Sequence, residues 1–274
     1  MTDAISTITD SSGSAREGAT ESITLTSLAR GPWQEDAAHG GAPAALVARA
    51  AERLGLADDL RLASLSLAFN GPVTLGKLEV RAEIVKPGRR HRVVRVVIQS
   101  GDRTLIEGRA VLLRRGEVDL PDQVTVKEEP FPGPGQGRPI EKALWADGES
   151  EAFHRTANTV VAIEGGPDRV GTEGMVWIRL DFPLVGGEEL TGAQRAMAAA
   201  DFGNGVAHPV GWGEFLFINC DLNVSLLREP VGQWIGLESR TEIDRNGSGL
   251  TSTRLHDRNG RFGVASQILF VDRV

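Results

Sequence analysis

The chain is poor in two residue types on which common enzyme chemistries depend, tyrosine and cysteine. Its 274 residues include no tyrosine, which removes one candidate acid or base, and only one cysteine, Cys220. A single cysteine cannot form an internal disulfide, and it does not supply the several thiolates of a cysteine-based zinc site. We expect Cys220 to be buried and inert, because nothing next to it in sequence would favour a thiolate.

No stretch of the sequence directs the chain to a membrane. The longest apolar runs are interrupted by arginine, and none nears the roughly 20 residues of a membrane helix. The first residues contain neither the basic nor the apolar segment of a secretory signal. We therefore expect a cytoplasmic protein. The formal net charge of −7 argues against general binding to nucleic acid, which depends on neutralising phosphate.

Familiar catalytic motifs are also missing. The sequence has no Gly-x-Ser-x-Gly nucleophile motif, no Gly-x-x-x-x-Gly-Lys-Ser/Thr phosphate loop and no His-Glu-x-x-His zinc motif. Its five histidines show no metal-ligand spacing, so we expect no metal ion. The glycine-rich stretch from Gly133 to Gly137 contains proline and precedes no helix, which argues against a dinucleotide site.

The pattern along the chain predicts an α+β protein with two similar halves. Apolar residues at 41% and charged residues at 24% are typical of a soluble protein with a sizeable core. In the first half, a helix over 44–56 precedes alternating strands that form an antiparallel meander. In the second half, an alanine-rich helix over 191–201, with Thr191 as N-cap, precedes four further strands. Corresponding segments follow at a near-constant offset, which indicates a duplication.

A long apolar helix beside an antiparallel sheet, made twice, is the double hotdog arrangement. We assign residues 1–21, which are rich in serine, threonine and glycine, to a disordered tail. Residues 22–118 form the N-terminal hotdog unit. Residues 119–140, rich in proline and glycine, form a linker, and residues 141–274 form the C-terminal hotdog unit.

Two features at helix ends are candidate functional groups. His39-Gly40-Gly41 directly precedes the first helix, whose free amides could form an oxyanion hole, although an ordinary turn before a helix has the same residues. Asp201 ends the second helix, where the helix dipole disfavours a carboxylate. Either a functional role or a solvent-facing position would explain an aspartate there.

Polar residues on predicted strands are further candidates. Gln267 lies within an apolar strand, and Arg89–Arg92 could hold coenzyme phosphates, although such a run is more often a solvated turn. Four other polar residues alternate along one predicted strand and therefore share one face, which could line a pocket or lie half exposed. They are Asn219, Asp221, Asn223 and Ser225.

Taken together, residues 23–273 resemble thioesterase-like, double-hotdog proteins related to bacterial acyl-CoA thioesterase II. In the first half, the resemblance is carried by Gly31-Pro32-Trp33 and by His39-Gly40-Gly41-Ala42-Pro43-Ala44-Ala45-Leu46. In the second half, it is carried by Ala200-Asp201-Phe202-Gly203-Asn204-Gly205, Phe217-Ile218-Asn219-Cys220-Asp221-Leu222 and Arg228-Glu229-Pro230-Val231-Gly232-Gln233-Trp234.

The resemblance implies hydrolysis of acyl-CoA thioesters by a water molecule that an aspartate, a hydroxyl residue and a glutamine activate. It implies that Asp201 is the general base, and it puts Asn219 where the family has the hydroxyl residue. The family's glutamine aligns near Leu269, whereas Gln267 lies two residues earlier on the same strand face. The implied catalytic trio is Asp201, Asn219 and Gln267, and the implied substrate-binding residues at the helix mouth are His39, Gly40 and Gly41.

The same resemblance implies an acyl-CoA or acyl-carrier thioester as substrate, no separate cofactor because coenzyme A belongs to the substrate, and a homo-oligomer. Two alternatives stay open. One is a hotdog enoyl-thioester hydratase that would pair Asp201 with His208. The other is a non-catalytic acyl-CoA-binding protein, since Asn219 and Leu269 depart from the family pattern.

Overall fold

The computed structural model describes residues 3–14, 18–125, 131–141 and 151–274. Its helices are α1 (Gly41–Arg53), α2 (Gly192–Ala200) and α3 (Gly203–Val206), and a π-helical turn spans Phe153–Ala157. Its strands are β1 (Ser6–Ser14), β2 (Gly18–Leu25), β3 (Leu60–Phe69), β4 (Gly76–Lys86), β5 (His91–Ser100), β6 (Arg103–Arg114), β7 (Arg138–Pro139), β8 (Asn158–Glu164), β9 (Glu173–Leu180), β10 (Phe215–Asn219), β11 (Asp221–Leu226), β12 (Trp234–Ile243), β13 (Ser248–Asp257) and β14 (Gly260–Arg273). Short 3₁₀ turns span Ser27–Ala29, Leu56–Asp58, Asp122–Val124 and Pro134–Gln136.

The described strands form one sheet that runs through both halves of the chain. Its order is β1-β2-β4-β5-β6-β3-β11-β14-β13-β12-β9-β8-β7, and β10 pairs separately with β14. The halves join where β3 pairs antiparallel with β11, with Ser66 opposite Asn223. The β4-β5-β6 meander packs against α1, and the second half of the sheet packs against α2. The expected pair of sheet-and-helix units is therefore present.

The two long helices lie antiparallel in the middle of the core. Gly41, at the start of α1, faces the carbonyl of Ala198 near the end of α2, so closely that a Cβ on Gly41 would lie 2.4 Å from that oxygen. At the other end, Glu52 of α1 accepts hydrogen bonds from Thr191 and Gln194 at the start of α2. Small residues permit this close approach, and each helix therefore begins beside the end of the other.

The helix bounds agree well with the sequence pattern. The prediction for α2 is confirmed, with Thr191 as N-cap and the Thr191 hydroxyl accepting a hydrogen bond from the amide of Gln194. α1 begins three residues before the predicted Ala44, because Gly41 and Ala42 are already helical, and it ends at Arg53, three residues before the predicted end at Leu56. Proline therefore lies in the first turn, where its missing N–H costs nothing.

The N-terminal segment differs from the expected disordered tail over residues 1–21. Residues 6–14 and 18–25 form the antiparallel pair β1 and β2, while residues 1–2 and 15–17 lie outside the described residues. The low apolar content is offset by partners far along the chain. Ile5 is fully buried, the Ser6 hydroxyl donates to the carbonyl of Leu184, and Glu21 pairs with the buried guanidinium of Arg49.

The described part of the predicted linker is ordered against the second half. The ring of Phe131 stacks on His256 with centroids 4.1 Å apart, and the indole nitrogen of Trp177 donates to the carbonyl of Pro132 at 2.6 Å. Arg138–Pro139, within the segment assigned to the linker, adds a two-residue strand beside β8. Residues 126–130 of the linker lie outside the described residues.

Candidate active site

All six residues predicted for the site meet where α1 begins and α2 ends. His39 and Gly40 directly precede α1, and Asp201 is the residue on which α2 ends. Asn219 reaches the same point from the end of β10, and Gln267 reaches it from β14. The first half of the chain thus contributes backbone amides and a histidine, and the second half contributes a carboxylate and two carboxamides.

The carboxylate of Asp201 lies in the centre of this group. Its side chain is 4% exposed, and its Oδ1 accepts a hydrogen bond of 2.6 Å from Nδ2 of Asn219. Its Oδ2 lies 2.9 Å from Nδ1 of His39. The backbone of Gly40 stands directly against the carboxylate, because a Cβ there would lie 2.8 Å from each oxygen. Glycine at position 40 therefore makes room for Asp201.

Two carboxamides converge on Asp201 and leave their oxygens without partners. Nε2 of Gln267 donates to the main-chain carbonyl of Asp201 at 3.3 Å. The amide oxygens of Asn219 and Gln267 are both buried, and no group of the described residues donates to either. A buried acceptor without a donor costs about 1–3 kcal/mol. These oxygens therefore suit a water molecule or a polar group of a substrate.

His39 is held by aromatic rings and by the first amides of the helix. Its imidazole lies 5.2 Å from the ring of Phe153 and 4.4 Å, stacked, from that of Phe202. The amide of Gly41 donates to Nδ1 of His39 at 3.1 Å. The amide of Gly40 has no acceptor within the part of the chain that the structure describes. Two amides were predicted to bind an oxyanion. The amide of Gly40 is available for this, whereas the amide of Gly41 already donates a hydrogen bond to His39.

The four polar residues that were predicted to share one strand face do not all lie on the same face. Phe217 and Asn219 point inward on β10, but the buried residues of β11 are Leu222, Val224 and Leu226. The strand breaks at Cys220, which is exposed rather than buried. Beyond the break, the odd-numbered residues face outward: Asp221 accepts from the amide of Ile268, Asn223 from the hydroxyl of Ser66, and Ser225 is exposed.

Other predicted candidates lie outside the site. Nδ1 of His208 contacts the carbonyl of Val210 and Nε2 that of Pro167, so the hydratase pairing of Asp201 with His208 is not formed. Arg92 is buried and binds the carbonyl of Leu54 beyond the end of α1, together with Asp58. That arginine is therefore part of the fold and not a phosphate contact.

Sequence reasoning missed the inner hydroxyl groups that lie next to the site. Buried Thr253 pairs with Ser239 at 2.9 Å, and buried Thr251 pairs with Thr241 at 2.8 Å. A Cβ on Gly203, just after Asp201, would lie 2.7 Å from both the Thr253 hydroxyl and the Gln267 amide oxygen. Alternating serine and threonine in β12 and β13 was the available signal. Leu269, by contrast, is buried among apolar side chains.

The fold and this site together define a double-hotdog protein with its polar centre between two antiparallel helices. Residues 29–113 match the family model described as acyl-CoA thioesterase N-terminal domain, and residues 121–271 match the acyl-CoA thioesterase C-terminal domain. The chain therefore belongs to the acyl-CoA thioesterase family. This confirms the expectation of an enzyme that acts on acyl-CoA thioesters.

Solved structures share the fold at low sequence identity. A protein named a thioesterase from Novosphingobium aromaticivorans has a TM-score of 0.71 and 18% identity, covering 97% of this chain and 98% of that one. A thioesterase II from Thermobifida fusca has a TM-score of 0.70 and 16% identity, covering 93% and 92%. A hot dog fold protein from Alicyclobacillus acidocaldarius has a TM-score of 0.71 and 14% identity, covering 93% of each chain. These similarities confirm the predicted double hotdog fold.

No curated protein sequence matches the chain. Among the described residues, no helix is long and apolar enough to cross a membrane.

Proposed function

We propose that the chain hydrolyses an acyl-CoA or acyl-carrier thioester between α1 and α2, with water activated at Asp201. One observation carries this proposal. The buried carboxylate of Asp201 lies within 3 Å of both Asn219 and His39, and the Gln267 carboxamide binds its main chain. A buried charge that several polar groups from distant segments approach is typical of an active site.

Each group has a role in this reaction. One of the unpartnered amide oxygens, that of Asn219 or that of Gln267, orients the water by accepting one of its hydrogen atoms, which leaves the other to be removed as a proton. The negative charge of Asp201 favours removal of a proton from that water. The amide of Gly40, at the positive end of α1, binds the oxyanion that forms from the thioester carbonyl. The attacking reagent is water, and coenzyme A is part of the substrate, so we propose no cofactor.

The test is a panel of acyl-CoA thioesters read by release of free thiol, with Asp201→Asn beside the native protein. We expect Asp201→Asn to lower kcat/KM by at least ~10²-fold on the best substrate, since proton transfer typically contributes this much. Unchanged turnover in this variant would remove Asp201 from the mechanism. A homo-oligomer in the cytoplasm stays a prediction, which light scattering and fractionation of cells would test.

The contact between His39 and Asp201 favours a second candidate, hydration of an enoyl thioester. That reaction needs an acid and a base on one substrate, and a histidine beside an aspartate supplies such a pair. Loss of enoyl absorbance without thiol release would identify this activity. Thiol release from saturated acyl-CoA would identify hydrolysis, and tight acyl-CoA binding with neither signal would indicate a protein that only binds.

A further inference from the structure

The imidazole of His39 is more open to a water molecule than the carboxylate of Asp201. Oδ1 of Asp201 accepts a hydrogen bond from Asn219, and the backbone of Gly40 lies directly against both carboxylate oxygens. The His39 side chain is 11% exposed against 4% for Asp201, and no described residue forms a hydrogen bond with its Nε2. The free nitrogen of His39 is therefore the accessible basic atom of the pair.

Two contacts meet at Nδ1 of His39, and the position of a single proton decides between them. The Gly41 amide, at 3.1 Å, donates to Nδ1 only when that atom carries no proton. Oδ2 of Asp201, at 2.9 Å, is attracted to Nδ1 only when a proton lies between the two atoms. A hydrogen bond to an ionised carboxylate is roughly twice as strong as one between neutral groups. An ionised Asp201 therefore holds the proton on Nδ1 and leaves Nε2 with a lone pair.

We propose that His39 is the catalytic base of the thioesterase reaction and that Asp201 acts through it. The inference rests on the hydrolysis proposed above and names the atom that receives the proton. Nε2 of His39 takes a proton from water as the water oxygen bonds to the thioester carbon and the carbonyl electrons move to oxygen. The C–S bond then breaks, the carbonyl re-forms, and the departing thiolate takes the proton back from Nε2. The products are a carboxylic acid and a free thiol.

The surroundings of His39 fit this role. Phe153 and Phe202 pack on the ring and restrict its rotation, so that Nδ1 stays on Asp201. The ionisable groups that face the ring are Asp201, at 2.9 Å, and His154, whose ring centroid lies 6.3 Å away. Protonation of His39 during the reaction places a positive charge beside Asp201, which stabilises it. Because Nδ1 already carries the proton that it shares with Asp201, the Gly41 amide is available to join Gly40 in binding the oxyanion.

The experiment removes the base and supplies it from solution. His39→Ala should lower kcat/KM by at least ~10²-fold, and added imidazole should restore part of the rate in proportion to its neutral form. His91→Ala, which removes a histidine outside the group around Asp201, is the matched control, and we expect its turnover to show no response to imidazole. His39→Gln keeps a polar side chain of similar length but cannot accept the proton, so the acid limb of the native pH–rate profile should disappear.

The outcomes separate this inference from the proposed function. Native turnover in His39→Ala, or a His39→Gln variant that keeps both its rate and the acid limb, would overturn the role of His39 while hydrolysis at Asp201 stands. If Asp201→Asn is as active as the native protein, the proposed function fails first. Thermal unfolding of each variant checks folding, and if His39→Ala is unfolded, His39→Gln alone decides.

Discussion

Each end of the α1–α2 pair brings the start of one helix beside the end of the other, and a carboxylate lies at both ends. We use the name first mouth for the end formed by His39, Gly40, Gly41, Asp201, Asn219 and Gln267. The second mouth is formed by Glu52, Thr191, Gly192 and Gln194. The antiparallel packing of two similar units makes the mouths equivalent in backbone arrangement. They differ in how their polar groups are satisfied.

The second mouth is closed by hydrogen bonds. Thr191 and Gln194 cap the start of α2 by bonding each other's main chain, and both side chains also donate to Glu52. Gly192 lies against the carbonyl of Pro230, where a Cβ would come within 2.4 Å of the oxygen. The side chains of Glu52, Thr191 and Gln194 all have protein partners here, and these contacts stabilise the fold.

The first mouth is the opposite case. The start of α1 has no side-chain cap, because its N-cap residue is Gly40. The amide oxygens of Asn219 and Gln267 are buried without donors in the described parts of the chain. Leaving such groups unpaired costs stability, and proteins accept that cost where a substrate or water will bind. The comparison therefore supports the proposal that the chemistry takes place at the first mouth, while the second mouth stabilises the fold.

Neutralising each of the two carboxylates separately should give the largest difference between the two mouths. We expect Asp201→Asn to lose at least ~10²-fold in kcat/KM, about 2.7 kcal/mol, while Glu52→Gln stays within about threefold of native. Thiol release from the best acyl-CoA substrate measures both. Similar losses in the two variants would mean that the mouths are not functionally distinct.

Adding a methyl group at the two glycines of the first mouth separates packing from chemistry. In Gly41→Ala, the Cβ meets the main-chain carbonyl of Ala198, so the helices must separate at a cost of about 1–3 kcal/mol. In Gly40→Ala, the three atoms nearest the Cβ all belong to the carboxyl group of Asp201, a side chain that can rotate away. We expect Gly40→Ala to keep most of its stability in urea unfolding and to lose turnover. The reverse pattern would contradict the assigned geometry.

The sequence predicted the elements whose signal is local, and it singled out residues from both halves of the candidate site. The alternation of apolar and polar residues predicted the strands, and Thr191 predicted the start of α2. Asp201 was noticed because a helix end disfavours a carboxylate, and Gly40 because free amides follow it. These residues could be singled out because each departs from a rule that applies within a few positions.

Contacts between distant segments were not predictable in the same way. The approach of His39 to Asp201 depends on the antiparallel packing of α1 and α2, which no local pattern specifies. The break at Cys220 turns Asn219 inward and Asp221 outward, although simple alternation puts both on one face. The ordered strand over residues 6–14 likewise depends on contacts with distant residues, such as the hydrogen bond from the Ser6 hydroxyl to the carbonyl of Leu184.

Removing the cap of the second mouth should affect stability alone. Thr191→Ala loses the hydroxyl that accepts from Gln194 and donates to Glu52, and a lost N-cap typically costs about 1 kcal/mol. Thr191→Ser keeps the hydroxyl and serves as the control. Urea unfolding should separate the two variants, while kcat/KM remains native in both. A fall in kcat/KM with Thr191→Ala would show that the second mouth influences the chemistry.

The smallest effect should be the pH dependence that Glu52 gives to stability. Burial raises the pKa of Glu52 above its ordinary 4.5, with Glu229 adding to the shift, while hydrogen bonds from Gln194 and Thr191 and the charge of Arg115 oppose it. Below 4.5 the carboxyl is neutral in both the folded and unfolded chain. As the pH rises through the raised pKa, the folded protein must carry a buried charge, and the stability contributed by the neutral carboxyl is lost.

Glutamine cannot ionise, so Glu52→Gln should gain stability relative to the native protein between pH 4 and pH 7. Urea unfolding at the two pH values measures the difference, and a gap between the variants that does not change with pH would show that Glu52 ionises equally easily in both states.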